Sequence, residues 1–323
     1  MTQRTYWHLQ DLGRVPSDYD IATSRLLYYP ARGFAVDTPV SAWYARYQAG
    51  SAFRLADWDA FRDPRETTYS SYTALQARAQ VFLDGIYRSA GPAYDRSLDP
   101  EWVKALERVL PVLLYPCHAL QMLAAYVGQM APGGRVVITS LFQAADEMRR
   151  TQAFAYRTRL LERSVPGFGR GAKQAWQTAP EWQPLRRTLE TMLVTYDFGE
   201  ALAVLAFAFK PRFDRFLERA LGGAAQQHDD PVLEKLVFTL AEDSAWHRAW
   251  SYELLRLAVR DDENLRRTVE GWLSRWGPRV EESLAALDDL LPPEPEDRGR
   301  LDEIETACRE DSRRVGLHAK DAS

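Results

Sequence analysis

Five histidines and two cysteines are the residues best able to hold a metal or act as a nucleophile here, and their spacing decides which chemistry is open. An oxygen-rich di-iron centre in a helical bundle takes one Glu from each of two helices and a Glu-x-x-His pair from each of two others. The i, i+3 interval puts both members of a pair on one helix face. The residues three before His8, His118, His228, His247 and His318 are Thr5, Tyr115, Ala225, Ser244 and Val315, and none is a carboxylate. No acid occurs between Val109 and Met130, so the first long apolar helix offers no ligand either. An oxygen-rich iron site cannot be assembled from what remains. Cys117 and Cys308 form no CxxC pair, and Cys117 and His118, being adjacent, point about 100° apart on a helix, so they cannot act as nucleophile and base. Neither GxSxG nor a phosphate-binding P-loop occurs; either would have carried a catalytic motif. The doubled acids Asp229–Asp230, Asp261–Asp262 and Asp288–Asp289 fall near helix ends, where carboxylates act as caps.

Polar groups nevertheless stand where such a centre would lie. Asp146, Glu147 and Arg150 sit in mid-helix, Glu200 opens the apolar run 201–209, and His247 falls on the stripe Leu240, Ser244, His247, Ser251, Leu254, Ala258. Glu147, Arg150, Glu200, Asp243 and His247 are expected to form a hydrogen-bonded network in place of a metal. The alternative is that each is a solvated or singly hydrogen-bonded residue.

The elements that would position these groups are helices. Residues 1–57, broken by Pro16, Pro30, Gly33, Pro39 and Gly50, read as an extended arm. It carries Trp7, Tyr19, Tyr28, Tyr29, Phe34, Trp43, Tyr44 and Tyr47, too many aromatics for a disordered tail. Residues 58–291 read as a bundle. Helices are expected over Thr67–Ser89, from Asp99-Pro100-Glu101 to about Val127 with kinks at Pro111 and Pro116, over Val136–Arg163, from Glu181 to a stop at Lys210-Pro211, over Arg212–Ala225, over Pro231–Val259 and over Glu263–Leu291. Ala131–Gly134 is too short for anything but an antiparallel return, and 166–171 reads as a crossover. Residues 292–323 read as a charged, mobile tail. The fold class is therefore all-α: a ferritin-like, ribonucleotide-reductase-like bundle of long helices with extra helices and an N-terminal arm.

Composition closes other routes. The formal net charge of −4 gives no basic footprint for nucleic acid. The apolar stretches around 109–127 and 201–209 are interrupted or too short to cross a bilayer, and the N-terminus lacks the order of a signal peptide. A reducing cytoplasm suits two isolated cysteines. Ten Trp beside 15 Tyr and 13 Phe point either to a partner surface or to a well-filled core.

Several fragments, in order, resemble one family. They are Trp7-His8-Leu9 with Pro16-Ser17-Asp18-Tyr19-Asp20; Trp43-Tyr44; Asp57-Trp58-Asp59-Ala60-Phe61-Arg62-Asp63-Pro64; and His118-Ala119-Leu120-Gln121-Met122. Further along come Ala155-Tyr156-Arg157-Thr158-Arg159, Asp197-Phe198-Gly199-Glu200-Ala201, Lys210-Pro211 and Trp246-His247-Arg248-Ala249-Trp250. Together they are similar to the β subunits of bacterial multicomponent monooxygenase hydroxylases, especially the four-component toluene and alkene type. The resemblance runs from Tyr6 to about Leu291.

It implies a non-catalytic structural subunit with no cofactor of its own, paired with an α subunit that holds a di-iron centre and oxidises an aromatic or alkene hydrocarbon with O2. A γ subunit would complete an (αβγ)2 assembly, with NADH electrons arriving through a reductase, often with a Rieske ferredoxin, and a small effector protein regulating turnover. In this family the β N-terminal segment lies across neighbouring subunits, so Trp43, Tyr44, Trp58 and Phe61 are expected in or near subunit contacts. Two competing readings are a self-sufficient di-iron oxidase with atypical ligands and a non-enzymatic helical scaffold.

Overall fold

Residues 6–24, 38–260, 262–293 and 299–317 are described by the computed structural model, and all regular structure among them is helical. The expected arm residues Tyr28, Tyr29 and Phe34, the acids at 294 and 296, and His318 lie outside the described residues. The principal helices are α1 (Tyr69–Ser97), α2 (Pro100–Val109), α3 (Leu114–Met130), α4 (Gly134–Ser164), α5 (Gln183–Leu193), α6 (198–227), α7 (Pro231–Val259), α8 (Glu263–Asp288) and α9 (Arg300–Arg314).

Two hairpins, α3–α4 and α6–α7, form the centre. Helix α3 also packs on α6 and α4 on α7, which closes a four-helix core. Helix α1 lies outside against α4 and α7; α8 lies outside against α5 and α6. The first hairpin is tight because Gly128 has no side chain: a Cβ there would come within 3.0 Å of the Ser140 Cβ.

Local chemistry explains most boundaries. Asp99 caps α2 by accepting from Glu101 N at 3.1 Å, with Pro100 in the first turn where its missing N–H costs nothing. The expected long kinked helix after it is instead two helices, because the chain turns at 110–113 around Pro111. Pro116 then falls in the first turn of α3, where it is tolerated.

The second hairpin differs more from expectation. The helix expected over Glu181–Phe209 breaks at 194–197. Asp197 caps a new start, accepting from Glu200 N at 2.9 Å, while the Ser51 hydroxyl donates to Asp197 Oδ1 at 2.9 Å and accepts from Gly199 N at 3.0 Å. Helix α6 then runs straight through Lys210-Pro211 instead of stopping. It does so by widening into π turns at Val204–Phe209 and Leu217–Leu221, the first ending where proline, with no N–H to donate, enters the helix.

Gly199 is the tightest point of this junction. A Cβ there would lie 2.4 Å from the Phe53 Cβ and 2.9 Å from Trp272. Gly199→Ala is expected to destabilise the subunit by about 1–3 kcal/mol, the usual cost of overpacking, despite alanine's better helix propensity. A lowered thermal midpoint of soluble protein checks it; an unchanged or raised midpoint would contradict the close approach.

Both ends of the chain correct their expectations. The arm carries a short helix, Asp18–Thr23, started by a capping box in which Ser17 and Asp20 bond each other's backbone. It folds back on the chain. Asp20 pairs with Arg14 at 2.7 Å and Arg62 at 2.6 Å and stands 3.7 Å from Arg135 of α4, while the Tyr19 hydroxyl accepts from Asp63 N. The expected mobile tail contains α9, which docks on α6. Its spacing of Ile304 and Cys308 buries one face, and its acids meet a row of arginines: Glu303 with Arg219 at 2.9 Å, Glu305 with Arg212 at 2.7 Å, and Asp311 with Arg215. The stretch expected to be a charged, mobile tail thus contains an ordered helix, because the opposite charge waits on another element.

Candidate functional site

In the middle of the core, side chains from α1, α4, α6 and α7 meet in one polar network. Helix α4 contributes Asp146, Glu147, Arg149 and Arg150. From α6 come Lys210 and Asp214, one turn apart on the same face. Helix α7 contributes Asp243, Ser244 and His247, and α1 adds Tyr72 and Gln76.

The pairing is dense. Arg150 bridges Glu147 at 3.1 Å and Asp214 at 2.8 Å, and donates to the Ser244 hydroxyl at 2.6 Å. The Lys210 ammonium sits between Asp214, at 3.0 Å, and Glu147. Arg149 pairs with Asp243. Gln76 joins the two ends, donating to Asp146 Oδ1 at 2.8 Å and Asp243 Oδ1 at 3.0 Å. Three carboxylates, Glu147, Asp214 and Asp243, therefore face three cations, Arg149, Arg150 and Lys210, and the formal charges cancel.

Asp146 and His247 lie beside these ion pairs, with Oδ2 and Nε2 3.0 Å apart. Burial, then the nearby Asp243, pushes the Asp146 carboxyl well above its usual range. Burial, then Lys210, pushes the His247 imidazole well below its own. Asp146 Oδ1 accepts from Tyr72 OH at 2.8 Å and from Gln76, and His247 Nδ1 stands 3.8 Å from Glu147 Oε1. Burial also opposes ionisation of Asp214, yet Lys210 and Arg150 hold its carboxyl well below the ordinary carboxylate range. Cys117 of α3 lies beside the cluster, its thiol pushed up to about 12 by burial, so it is no nucleophile.

These residues do not suit a metal. The carboxylates that could ligate a cation already hold an ammonium and two guanidiniums, which occupy the same space with the same sign of charge. Among the described residues no three His, Cys, Asp or Glu side chains form a group able to hold a metal ion. The donor set therefore does not fit the iron pair that the bundle type houses elsewhere.

Of the five residues expected in the network, the structure brings Glu147, Arg150, Asp243 and His247 together. Glu200 lies apart. It stands in the first turn of α6 and accepts from Trp276 Nε1 at 2.9 Å and Arg275 at 2.8 Å, both on α8. The break at 194–197 restarts the helix, so Glu200 is near a helix end and not in mid-helix. Lys210 and Asp214 were missed. Their i, i+4 spacing inside an otherwise apolar run was the available signal, hidden by reading Lys210-Pro211 as a stop.

A family profile described as "Methane/Phenol/Alkene Hydroxylase" matches residues 42–262, more than half of the chain. The chain belongs to this family. It is 30% identical over 303 residues to the toluene-4-monooxygenase system hydroxylase component subunit beta of Ectopseudomonas mendocina, covering 90% of this chain and 92% of that one. A chain from a solved structure of toluene 4-monooxygenase, determined with toluene bound in the enzyme's resting active site, aligns with TM-score 0.84 at 29% identity, covering 90% of this chain and 98% of that one. A chain of phenol hydroxylase from Pseudomonas sp. OX1 shares the fold, with TM-score 0.88 at 18% identity over 100% and 98% of the two chains. Within the family this is a β-type subunit of a multicomponent monooxygenase hydroxylase, and its all-helical bundle is the ferritin-like fold of those subunits.

The expected contact residues separate by depth. Trp43, 37% exposed, packs at a tilt against Tyr47 and edge to face against Tyr196, with ring centroids 4.6 and 4.8 Å away. Tyr44 is half-buried and donates to Gln129 O at 3.3 Å. Trp58 is half-buried against Gly133 and Phe198. Phe61 is wholly buried in this chain's own core against Trp250, so it can lie near a subunit contact but offers no exposed surface to one.

Proposed function

We propose that this chain is the non-catalytic structural subunit of a hydrocarbon monooxygenase of the aromatic or alkene type, with the di-iron centre in an α partner. One observation carries the reading: the middle of the bundle holds a charge-balanced set of ion pairs, with Arg150 and Lys210 lodged between carboxylates. Glu147, Arg150, Asp243 and His247, with Asp146, Lys210 and Asp214, act in place of a metal by tying α4, α6 and α7 together. The partners that complete the system are the α and γ subunits in an (αβγ)2 assembly, a reductase, with or without a Rieske ferredoxin, and a small effector protein. The complex works in the cytoplasm. Functionally the chain divides into an arm over residues 1–57 that reaches partners, a bundle over 58–291, and a C-terminal segment of which α9 belongs to the folded body.

The test is the iron content of a hydroxylase in which a Glu-x-x-His ligand pair of the α partner has been replaced. The expected result is no tightly bound iron; iron retained on this chain would refute the proposal.

Trp43, Tyr44 and Trp58 remain the proposed contact residues. Trp43→Ala is expected to weaken subunit assembly by about 2 kcal/mol or more, the scale of an interfacial aromatic anchor. Mass photometry at dilute concentration should then show free subunits where the parent complex stays whole, and an unaltered mass distribution would count against it.

A further inference from the structure

An open cleft of about 450 Å³ lies between α1 and α4, away from the charge network and at the point where α1 is interrupted. Gly91 takes φ 64° and ψ 175° there, a backbone conformation that favours glycine. A Cβ on it would meet nothing within 4 Å. Tyr87 and Tyr156 supply aromatic walls, their ring centroids 5.0 Å apart and edge to face, and Leu160 and Val232 add apolar lining.

The charged groups in the cleft are unequal. Arg157 is 1% exposed and its charge is shared, Nη1 donating to Asp95 Oδ1 at 2.6 Å and Nη2 standing 3.6 Å from Asp230. Asp84 accepts from Gln80 at 2.8 Å. Arg88 and Arg163, both exposed, are not neutralised: Arg88 donates from Nε to the Asp84 carbonyl at 3.1 Å, and Arg163 has no ion-pair partner among the described residues. With Asp230 behind Arg157, three guanidiniums face three carboxylates, and the positive charge open to a ligand is that of Arg88 and Arg163 at the surface of the cleft. The Tyr87 hydroxyl is buried without a hydrogen-bond partner. Burial pushes it up to about 12, so it remains a donor.

We propose that this cleft binds a small carboxylate on a flat apolar body, an aromatic acid of the benzoate class, with its ring against Tyr87 and Tyr156 and its carboxylate on Arg88 and Arg163. The volume falls within the range of small-molecule sites, roughly 300–1,000 Å³. A guanidinium fork matches a carboxylate in geometry as well as charge. The site shares no residue with the charge network and stands or falls independently of the function proposed above.

The test is a 19F NMR titration of 4-fluorobenzoate into the purified hydroxylase carrying this chain, alongside an Arg88→Ala/Arg163→Ala form and the uncharged 4-fluorobenzamide. Both arginines are at the surface, so the double variant should fold. The expected result is saturable binding to the parent, weakened at least tenfold in the double variant and at least tenfold weaker for the amide. No saturable binding, equal affinity in the variant, or equal affinity for the amide would each overturn the proposal.

Discussion

Arg150→Met should be among the most damaging single changes in the chain, costing about 3–5 kcal/mol. Arg150 is fully enclosed and neutralises two carboxylates on different helices, Glu147 of α4 and Asp214 of α6. Methionine fills much of the volume but leaves one ammonium, Lys210, to balance both acids, and the Ser244 hydroxyl loses its donor. An uncompensated buried charge is far costlier than the loss of an exposed ion pair. Hydrogen exchange of α4, α6 and α7 in the assembled hydroxylase measures the effect directly. Protection should fall in all three helices together, because the network joins them. A quadruple change of Glu147, Arg150, Lys210 and Asp214 to Leu and Met is expected to recover most of the loss, since a well-packed apolar replacement of a buried ion pair is often neutral or better. Undiminished protection in the single variant would mean that water already reaches the cluster.

Asp230→Ala is expected to cost about 3–5 kcal/mol through several losses at once. Asp230 is wholly buried. Its Oδ1 accepts from Leu233 N at 3.0 Å, capping α7, and from the Tyr94 hydroxyl at 2.8 Å, while Oδ2 accepts from Trp102 Nε1 at 3.2 Å. Alanine removes the cap, leaves the buried Trp102 Nε1 without its acceptor, and leaves the half-buried Tyr94 hydroxyl only the Asp229 carbonyl at 3.4 Å. It also strips Arg157, 3.6 Å away, of one of its two counter-charges. The same exchange measurement should show fraying at the start of α7 and weakened protection in α2. Asp230→Asn should cost less, because the amide oxygen can still cap the helix. If the two variants behaved alike, the charge would matter and the cap would not.

How far these elements could be foreseen follows from the range of the forces that set them. Asp99-Pro100-Glu101 and Asp230-Pro231 marked the starts of α2 and α7 correctly because a cap is made within a few residues of its own sequence. Ala131–Gly134 marked the return between α3 and α4 for the same reason. The break at 194–197 was not foreseeable in this way. It depends on Ser51, nearly 150 residues earlier, holding Asp197 and Gly199. The passage of α6 through Pro211 depends likewise on packing that favours π turns over a stop.

The residues that could hold no iron were decided by sequence alone: the missing Glu-x-x-His pairs and the acid-free stretch 109–130 are one-dimensional facts about ligand spacing, and no folding could supply them. Which side chains meet in the middle of the bundle was decided only by the tertiary structure. Glu147, Arg150, Asp243 and His247 stood out as polar positions in apolar helices, but Glu200 did too, and it lies against α8. Lys210 and Asp214 complete the network from a helix thought to end between them. Charge compensation in a core is settled by which side chains meet across helices, and their partners here lie 63 and 64 residues away in the chain.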